Sequence, residues 1–300
     1  MVKPTIDRAF DDWKEREALA EAMIPLIGKL YRRNVVLYMH GVPLFNESVI
    51  EIMRIHRRVR QIEKNELSEF ETHPMIAVLV ELDLAPAHVD IGKLASAFMT
   101  DPQGQTLEDY VKAACTDLLS AESAVSHPPR DVVIYGFGRI GRLVMRLLVE
   151  KAGGGQNLVP RAVVLRPPKD PVKDLHKRAS LMRRDSIHGP FRGTIRVDAE
   201  HQAIICNGNA IRFIYATDPG AIDYTVYGIQ DALIVDSTGA WRDIDGLGRH
   251  LTSKGVSKIL LTTSGKGDMK NIVSGVNSHT IEADDQLVAA ASCTTNAIVP

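Results

Sequence analysis

Three hundred residues, 45% apolar and 24% charged, suffice for two domains with buried cores and exclude a disordered or fibrous chain. The formal net charge of −1 is uneven: residues 1–125 hold 14 Lys+Arg against 20 Asp+Glu, and residues 126–300 hold 22 against 17. The mildly basic second part suits an anionic cofactor or substrate and is far too weak for a nucleic-acid surface.

The first residues, Met1–Arg8, are followed by no apolar core of a signal peptide. Residues 1–122 read as helical. Trp13, Leu19, Met23, Ile24, Ile27, Leu30 and Tyr31 recur at helical spacing, and Pro25 predicts a break or kink. Ser48-Val49-Ile50-Glu51 has the form of a capping box, with Ile52, Ile55, Val59 and Ile62 lining one face behind it. Four basic residues in Arg54-Ile55-His56-Arg57-Arg58-Val59-Arg60 form either a solvated helix face or an anion patch. The longest uncharged apolar run, Met75–Val80, has six residues and is too short to span a bilayer. Thr106-Leu107-Glu108-Asp109 opens a further helix carrying Ala113, Ala114 and Leu118. This part, 1–125, is expected to be an all-α N-terminal domain.

Ala121–Arg130, with its Pro-Pro pair, breaks the pattern and reads as a linker. Beyond it, Val132–Tyr135, Ala162–Leu165, Ala232–Val235 and Ile259–Thr263 are β-rich runs. The amphipathic stretch Arg139–Glu150, ending at Gly153-Gly154-Gly155, lies between the first two and completes a βαβ unit. Thr194–Val197, Ala203–Cys206 and Ile211–Tyr215 read as a small antiparallel meander. The expectation for 126–300 is an α/β Rossmann-type dinucleotide-binding domain with a parallel sheet and a small antiparallel insertion.

The run Gly136-Phe137-Gly138-Arg139-Ile140-Gly141 follows the first strand and opens the helix. Gly136 permits the tight turn, Gly138 lets backbone approach a pyrophosphate, and Gly141 lets helix and strand pack closely. Free N–H groups at the helix start then face the phosphates. The alternative is a glycine-rich turn that binds nothing. An acidic residue closing the second strand commonly holds the ribose of NAD; here Arg166 stands there, followed by Pro167-Pro168-Lys169. Arg166 either favours or tolerates the 2′-phosphate of NADP, or is a solvated loop residue.

The three cysteines, Cys115, Cys206 and Cys293, are odd in number and widely spaced, unlike a disulfide framework, and none has zinc-ligand spacing with histidine. A cytoplasmic location without a metal follows as the default. Cys293 succeeds the apolar run Leu287–Ala291, and Ser292 is placed to cap a helix starting at the cysteine, where the dipole favours thiolate. A cysteine among small residues also packs well as a buried apolar group. The flanking Ser292, Thr294, Thr295 and Asn296 argue against a plain core.

With Asp185-Ser186-Ile187-His188-Gly189, Asp236-Ser237-Thr238-Gly239, Gly275-Val276-Asn277 and Ala291-Ser292-Cys293-Thr294-Thr295-Asn296 added to the glycine run, residues 131–300 resemble glyceraldehyde-3-phosphate dehydrogenases. Residues 1–125 look like the extension of longer bacterial members. The resemblance implies that Gly136, Phe137, Gly138, Arg139, Ile140 and Gly141 wrap the pyrophosphate of NAD or NADP, with Arg166 beside the ribose. It implies that Thr238, Gly239 and Thr262 lie along the cofactor. Cys293 would attack a sugar-phosphate aldehyde, and Ser292 and Thr294 would bind inorganic phosphate. It further implies a homotetramer, with no nucleic-acid or membrane partner. Only seven residues follow Cys293, so the general-base histidine, the substrate-gripping arginine and the nicotinamide-orienting asparagine are expected in a catalytic half that this chain lacks. His188 is a candidate replacement base, or a turn histidine bonded to backbone. Tyr135 replaces the usual asparagine, and Thr262-Thr263-Ser264-Gly265 replaces a Ser-Ala-Pro pattern. Two alternatives stay open: erythrose-4-phosphate oxidation, and a dinucleotide-binding module without catalysis.

Overall fold

A 27-residue helix, α1 (Ile6–Arg32), buries Ala20, Met23, Ile27 and Leu30 along one stripe. The helix runs through Pro25 without the predicted break. An internal proline costs about 3 kcal/mol, whereas each buried Met, Ile or Leu contributes about 1.5–3 kcal/mol, so burial around the proline wins. Trp13 and Ile24 stay exposed.

The computed structural model describes residues 6–64, 66–119, 129–151 and 158–300. They separate into two compact units, 6–119 and 129–300. Of the predicted linker, residues 121–128 lie outside the described residues, as do Gly153-Gly154-Gly155. No helix among the described residues is long and apolar enough to cross a membrane.

The first unit is helical but not all-α. After α1 come β1 (Val35–Met39), β2 (Val42–Pro43), α2 (Val49–Glu63), α3 (Glu69–Glu81), β3 (Ala87–Asp90), α4 (Ile91–Thr100), α5 (Leu107–Ala114) and α6 (Thr116–Leu119). The strands form a small sheet of order β2-β1-β3, with β1 and β3 parallel. The Asp90 carboxylate accepts from His40 N and Gly41 N at 2.9 Å and from Lys93 N at 3.0 Å, so one residue holds the β1–β2 turn and caps α4. Ser48 caps α2 by accepting from Glu51 N at 3.2 Å, while the Glu51 carboxylate lies toward Arg54. At the start of α3 the Glu71 carboxylate reaches back to accept from Ser68 N at 2.7 Å and from the Ser68 hydroxyl. Ile52, Ile55 and Val59 are buried as expected, but Ile62 is exposed. On α5 the buried positions are Val111 and the flanking Cys115, while Ala113 and Ala114 face solvent.

The second unit runs β4 (Arg130–Tyr135), α7 (Arg139–Lys151), β5 (Leu158–Leu165), α8 (Pro171–Arg183), β6 (Arg184–Asp185), β7 (Gly189–Pro190), β8 (Ile195–Asp198), β9 (Ala203–Cys206), β10 (Asn209–Tyr215), β11 (Ala232–Asp236), α9 (Ile244–Gly248), β12 (Val256–Leu261), β13 (Leu287–Ala289) and α10 (Cys293–Ile298). Its sheet has the order β13-β12-β11-β4-β5-β10-β9-β8, parallel from β13 to β10. The meander β8-β9-β10 is antiparallel as predicted, yet it is no separate insertion: β10 pairs parallel with β5 and continues the sheet. Alternation along β4 explains the two covered faces. Val132 and Ile134 pack with Met145 and Val149 of α7 and Leu175 and Ala179 of α8, whereas Val133 and Tyr135 pack with Tyr224, Leu247 and Ile259 on the other side. The strand order reverses at β4, where doubly wound sheets bind ligands.

Candidate functional site

The glycine run occupies this switch point. Gly136 has φ +90°, a left-handed conformation that favours glycine, and a Cβ there would come within 2.8 Å of Thr238 Cγ2. A Cβ on Gly141 would lie 2.3 Å from Gly136 O and 2.6 Å from Ser237 Oγ. Ser237 Oγ donates to Gly136 O at 2.7 Å, clamping the turn onto the end of β11. Around Gly138 the situation differs: a Cβ would meet nothing within 4 Å. Two glycines are thus demanded by packing, and the third keeps an open face beside the α7 amides, which lack intrahelical acceptors. That arrangement fits a bound diphosphate. The Phe137 side chain is in the core, edge-on to Phe213 at 5.5 Å, so only its backbone belongs to the loop.

Arg139 and Arg142, on the first turn of α7, reach Asp185 Oδ2 at 3.5 and 4.0 Å. Asp185 Oδ1 accepts from Ile187 N at 3.0 Å and from His188 N and His188 Nδ1 at 3.1 Å. His188 is therefore tied up within its own turn. The His188 and Ile187 amides, with the His188 ring and Arg139, hold the Asp185 carboxyl well below the usual carboxylate range. A carboxyl depressed in the folded state adds stability that is full above its unfolded value, about 3.9, and is lost as pH falls below it. Asp185→Asn is accordingly expected to lower the urea midpoint at pH 7, with the gap to wild type narrowing below pH 4. A gap independent of pH would refute this role.

Beside the loop, a cavity of about 300 Å³ opens at the ends of β4, β5 and β10. Gly136, Arg166, Arg178, Thr238 and Trp241 line it. Arg178 is fixed by Asp174 at 3.1 Å, while Arg166 is exposed. Arg178 and Trp241 escaped the sequence reading because no motif spacing links them to the glycine run. A buried pair behind the cavity escaped it too. Asp236 Oδ1 accepts from Thr238 N at 2.8 Å and Thr238 Oγ1 at 2.7 Å, and Oδ2 lies 3.2 Å from His250 Nε2. Both residues of the pair are fully buried, and the Tyr135 ring stands edge-on to the imidazole at 4.6 Å. Thr238 is thereby locked in place. Gly239 has φ +67° and open space around it. Thr262 donates through N and Oγ1 to Asp236 O at 3.0 and 3.1 Å.

On the opposite side of the loop, Ser292 caps α10 by accepting from Thr295 N at 3.0 Å and shares a 2.7 Å hydrogen bond with Thr295 Oγ1. Its hydroxyl is thus engaged locally, while Cys293 and Thr294 are exposed. Ala291, just before the cap, has φ +57°, which costs an L-residue about 1–2 kcal/mol. Asn296 Nδ2 donates to Ala290 O at 2.8 Å and Ser292 O at 2.9 Å, holding the strained turn. Cys115 and Cys206 are buried; burial raises both thiols, that of Cys206 to about 12. Cys293 is the accessible thiol.

Gly136, Thr238, Thr262 and Cys293 follow the C-terminal ends of β4, β11, β12 and β13, four neighbouring strands. Three strand spacings, about 14 Å, separate the glycine loop from the thiol, and the arginine-lined cavity lies on the loop's other side. A doubly wound sheet with this loop at its switch point defines a Rossmann-type dinucleotide-binding protein. The family model described as the NAD-binding domain of glyceraldehyde 3-phosphate dehydrogenase matches residues 130–244. Residues 130–244 thus carry the NAD-binding domain of the glyceraldehyde-3-phosphate dehydrogenase family, and the dinucleotide that domain serves is of the nicotinamide class.

A glyceraldehyde-3-phosphate dehydrogenase-like protein of Pseudomonas aeruginosa (strain UCBPP-PA14) is 52% identical over 281 residues, covering 93% of this chain and 60% of the relative. That match necessarily reaches into the first unit. Glyceraldehyde-3-phosphate dehydrogenases of Ajellomyces capsulatus and Zymomonas mobilis are 36% and 33% identical over 169 and 173 residues, each covering 56% of this chain and 46% and 47% of the relative. The chain thus spans between about half and 60% of the length of these curated relatives.

Proposed function

We propose that this chain supplies the dinucleotide site and the nucleophile for phosphorylating oxidation of glyceraldehyde 3-phosphate to 1,3-bisphosphoglycerate. The supporting observation is the placement of an accessible thiol, Cys293, in line with the glycine loop at the C-terminal edge of one sheet. The pyrophosphate rests on the backbone of Gly136, Phe137, Gly138, Arg139, Ile140 and Gly141. Thr238, Gly239 and Thr262 flank the path from there toward Cys293, and Trp241 offers a flat face in the cavity for the other end of the ligand. When bound, the nicotinamide accepts the two electrons and the hydrogen leaving the aldehyde carbon.

Cys293 Sγ adds to that carbon and gives a thiohemiacetal; oxidation leaves a thioester, and an oxygen of inorganic phosphate displaces the sulfur to release the acyl phosphate. Thr294, exposed beside the thiol, is the freer of the two hydroxyls for binding that phosphate, since Ser292 is occupied as a cap. Phosphate-dependent reduction of NAD or NADP with glyceraldehyde 3-phosphate, compared with erythrose 4-phosphate, tests the reaction and its substrate. The second reading is dinucleotide binding without turnover. It is favoured because, among the described residues, no hydrogen bond joins Cys293 Sγ to a histidine or carboxylate, and general-base help is typically worth about 10²–10⁴ in rate. Binding with no turnover would select it. Homotetramer formation and a cytoplasmic site of action complete the proposal; sedimentation and fractionation test them.

Arg166, exposed at the cavity mouth with Arg178 beside it, suits the 2′-phosphate of NADP by charge. Arg166→Asp is expected to shift the NADP-to-NAD affinity ratio at least tenfold toward NAD in equilibrium titrations. Unchanged selectivity would remove Arg166 from the reading.

A further inference from the structure

Within the first unit, α1 and α2 enclose a groove of about 450 Å³ lined by Trp13, Arg16, Met53, Arg54, Arg57 and Arg60. Its two carboxylates are already engaged: Asp12 and Glu69 bind Arg16 at 2.8 and 3.2 Å. Arg54 leans on the half-buried Glu51 at 3.4 Å. No carboxylate among the described residues lies within salt-bridge distance of Arg57 or Arg60. Arg54, Arg57 and Arg60 are one helical turn apart, so their charges repel and converge on the same space. Nothing in the core requires them there. The groove also keeps large apolar groups in water: Trp13 is 45% exposed and Ile50, on its edge, is 41% exposed.

Guanidinium forks match phosphate oxygens, but inorganic phosphate alone would leave the indole and Ile50 uncovered. A ligand with a planar ring at one end and several phosphate charges at the other satisfies both halves, and the groove's volume lies within the usual range for small-molecule sites. We propose that the groove between α1 and α2 binds a nucleoside di- or triphosphate, its base against Trp13 and its phosphates on Arg54, Arg57 and Arg60. The groove shares no lining residue with the cavity of the second unit.

The chain has two tryptophans, so Trp241→Phe leaves Trp13 as the sole indole emitter. Titrating that full chain with ATP is expected to give a saturable change in emission. Arg57→Gln/Arg60→Gln in the same background should weaken it at least tenfold with the melting temperature unchanged. Tripolyphosphate and adenosine, each used to displace ATP, should compete at least tenfold more weakly than ATP itself. Should the double variant fail to fold, Arg57→Gln alone, at an exposed position, serves the same comparison. No saturable change, undiminished affinity without the arginines, or tripolyphosphate competing as well as ATP would each overturn the proposal.

Discussion

Under the proposed reaction, replacing Cys293 by serine is expected to reduce aldehyde-dependent formation of NAD(P)H by about 10³-fold or more while leaving dinucleotide affinity unchanged. A serine hydroxyl at the same position is a far poorer nucleophile at neutral pH than a thiol. It is also too small a change to disturb α10, whose cap hydrogen bond comes from Ser292. The other two thiols offer no substitute. Cys115 and Cys206 are buried, and the low dielectric around them disfavours the thiolate. Alkylation of the native chain at neutral pH should therefore stop at one label, on Cys293, and the serine variant should take up none. Turnover surviving in that variant, or a native label on Cys206, would take the nucleophile away from Cys293.

The two glycines Gly138 and Gly141 should separate folding from binding. Gly141→Ala drives a methyl group to within 2.3 Å of a backbone carbonyl oxygen and 2.6 Å of Ser237 Oγ. Neither can retreat without dragging the turn that Ser237 clamps. Overpacking costs about 1–3 kcal/mol, with rigid sites at the upper end. For a unit of this size about 3 kcal/mol corresponds to a melting-temperature loss of about 6–12 °C, with dinucleotide binding lost alongside.

Gly138→Ala meets no atom within 4 Å, so its stability should stay within about 1 kcal/mol of wild type, the scale of a changed helix cap. Its added methyl nonetheless stands where a diphosphate must approach the amides, and affinity should fall at least tenfold. Equal melting losses in both variants would show that the two glycines do the same job. Undiminished affinity in Gly138→Ala would leave the loop without a ligand.

What was legible before the fold was known is instructive at particular residues. The strand-loop-helix over Arg130–Lys151 and the Ser292 cap are local events. Alternation on β4 and a short hydroxyl-to-amide reach both lie within a few residues. The three-stranded sheet of the first unit was not legible, because β1 must find β3, pairing Val35 with Ala87 across 52 positions. Short apolar runs such as Val35–Met39 read equally well as helix when that partner is unseen. Pro25 likewise predicts a break or kink by its own chemistry, and the helix continues through it because of what it buries. Trp241, Arg178 and the Asp236–His250 pair carry no spacing signal because they meet through the sheet rather than along the chain.

By itself, then, the order of residues determined the periodicities, the glycine turn, the capped thiol and the family they mark, since each depends on neighbours only a few bonds away. Tertiary structure alone decided that the meander continues the main sheet. It alone placed two arginines at one cavity and left only one of three thiols open to solvent. Those outcomes turn on which distant surfaces exclude water from which side chains, and that is settled only when the chain closes on itself.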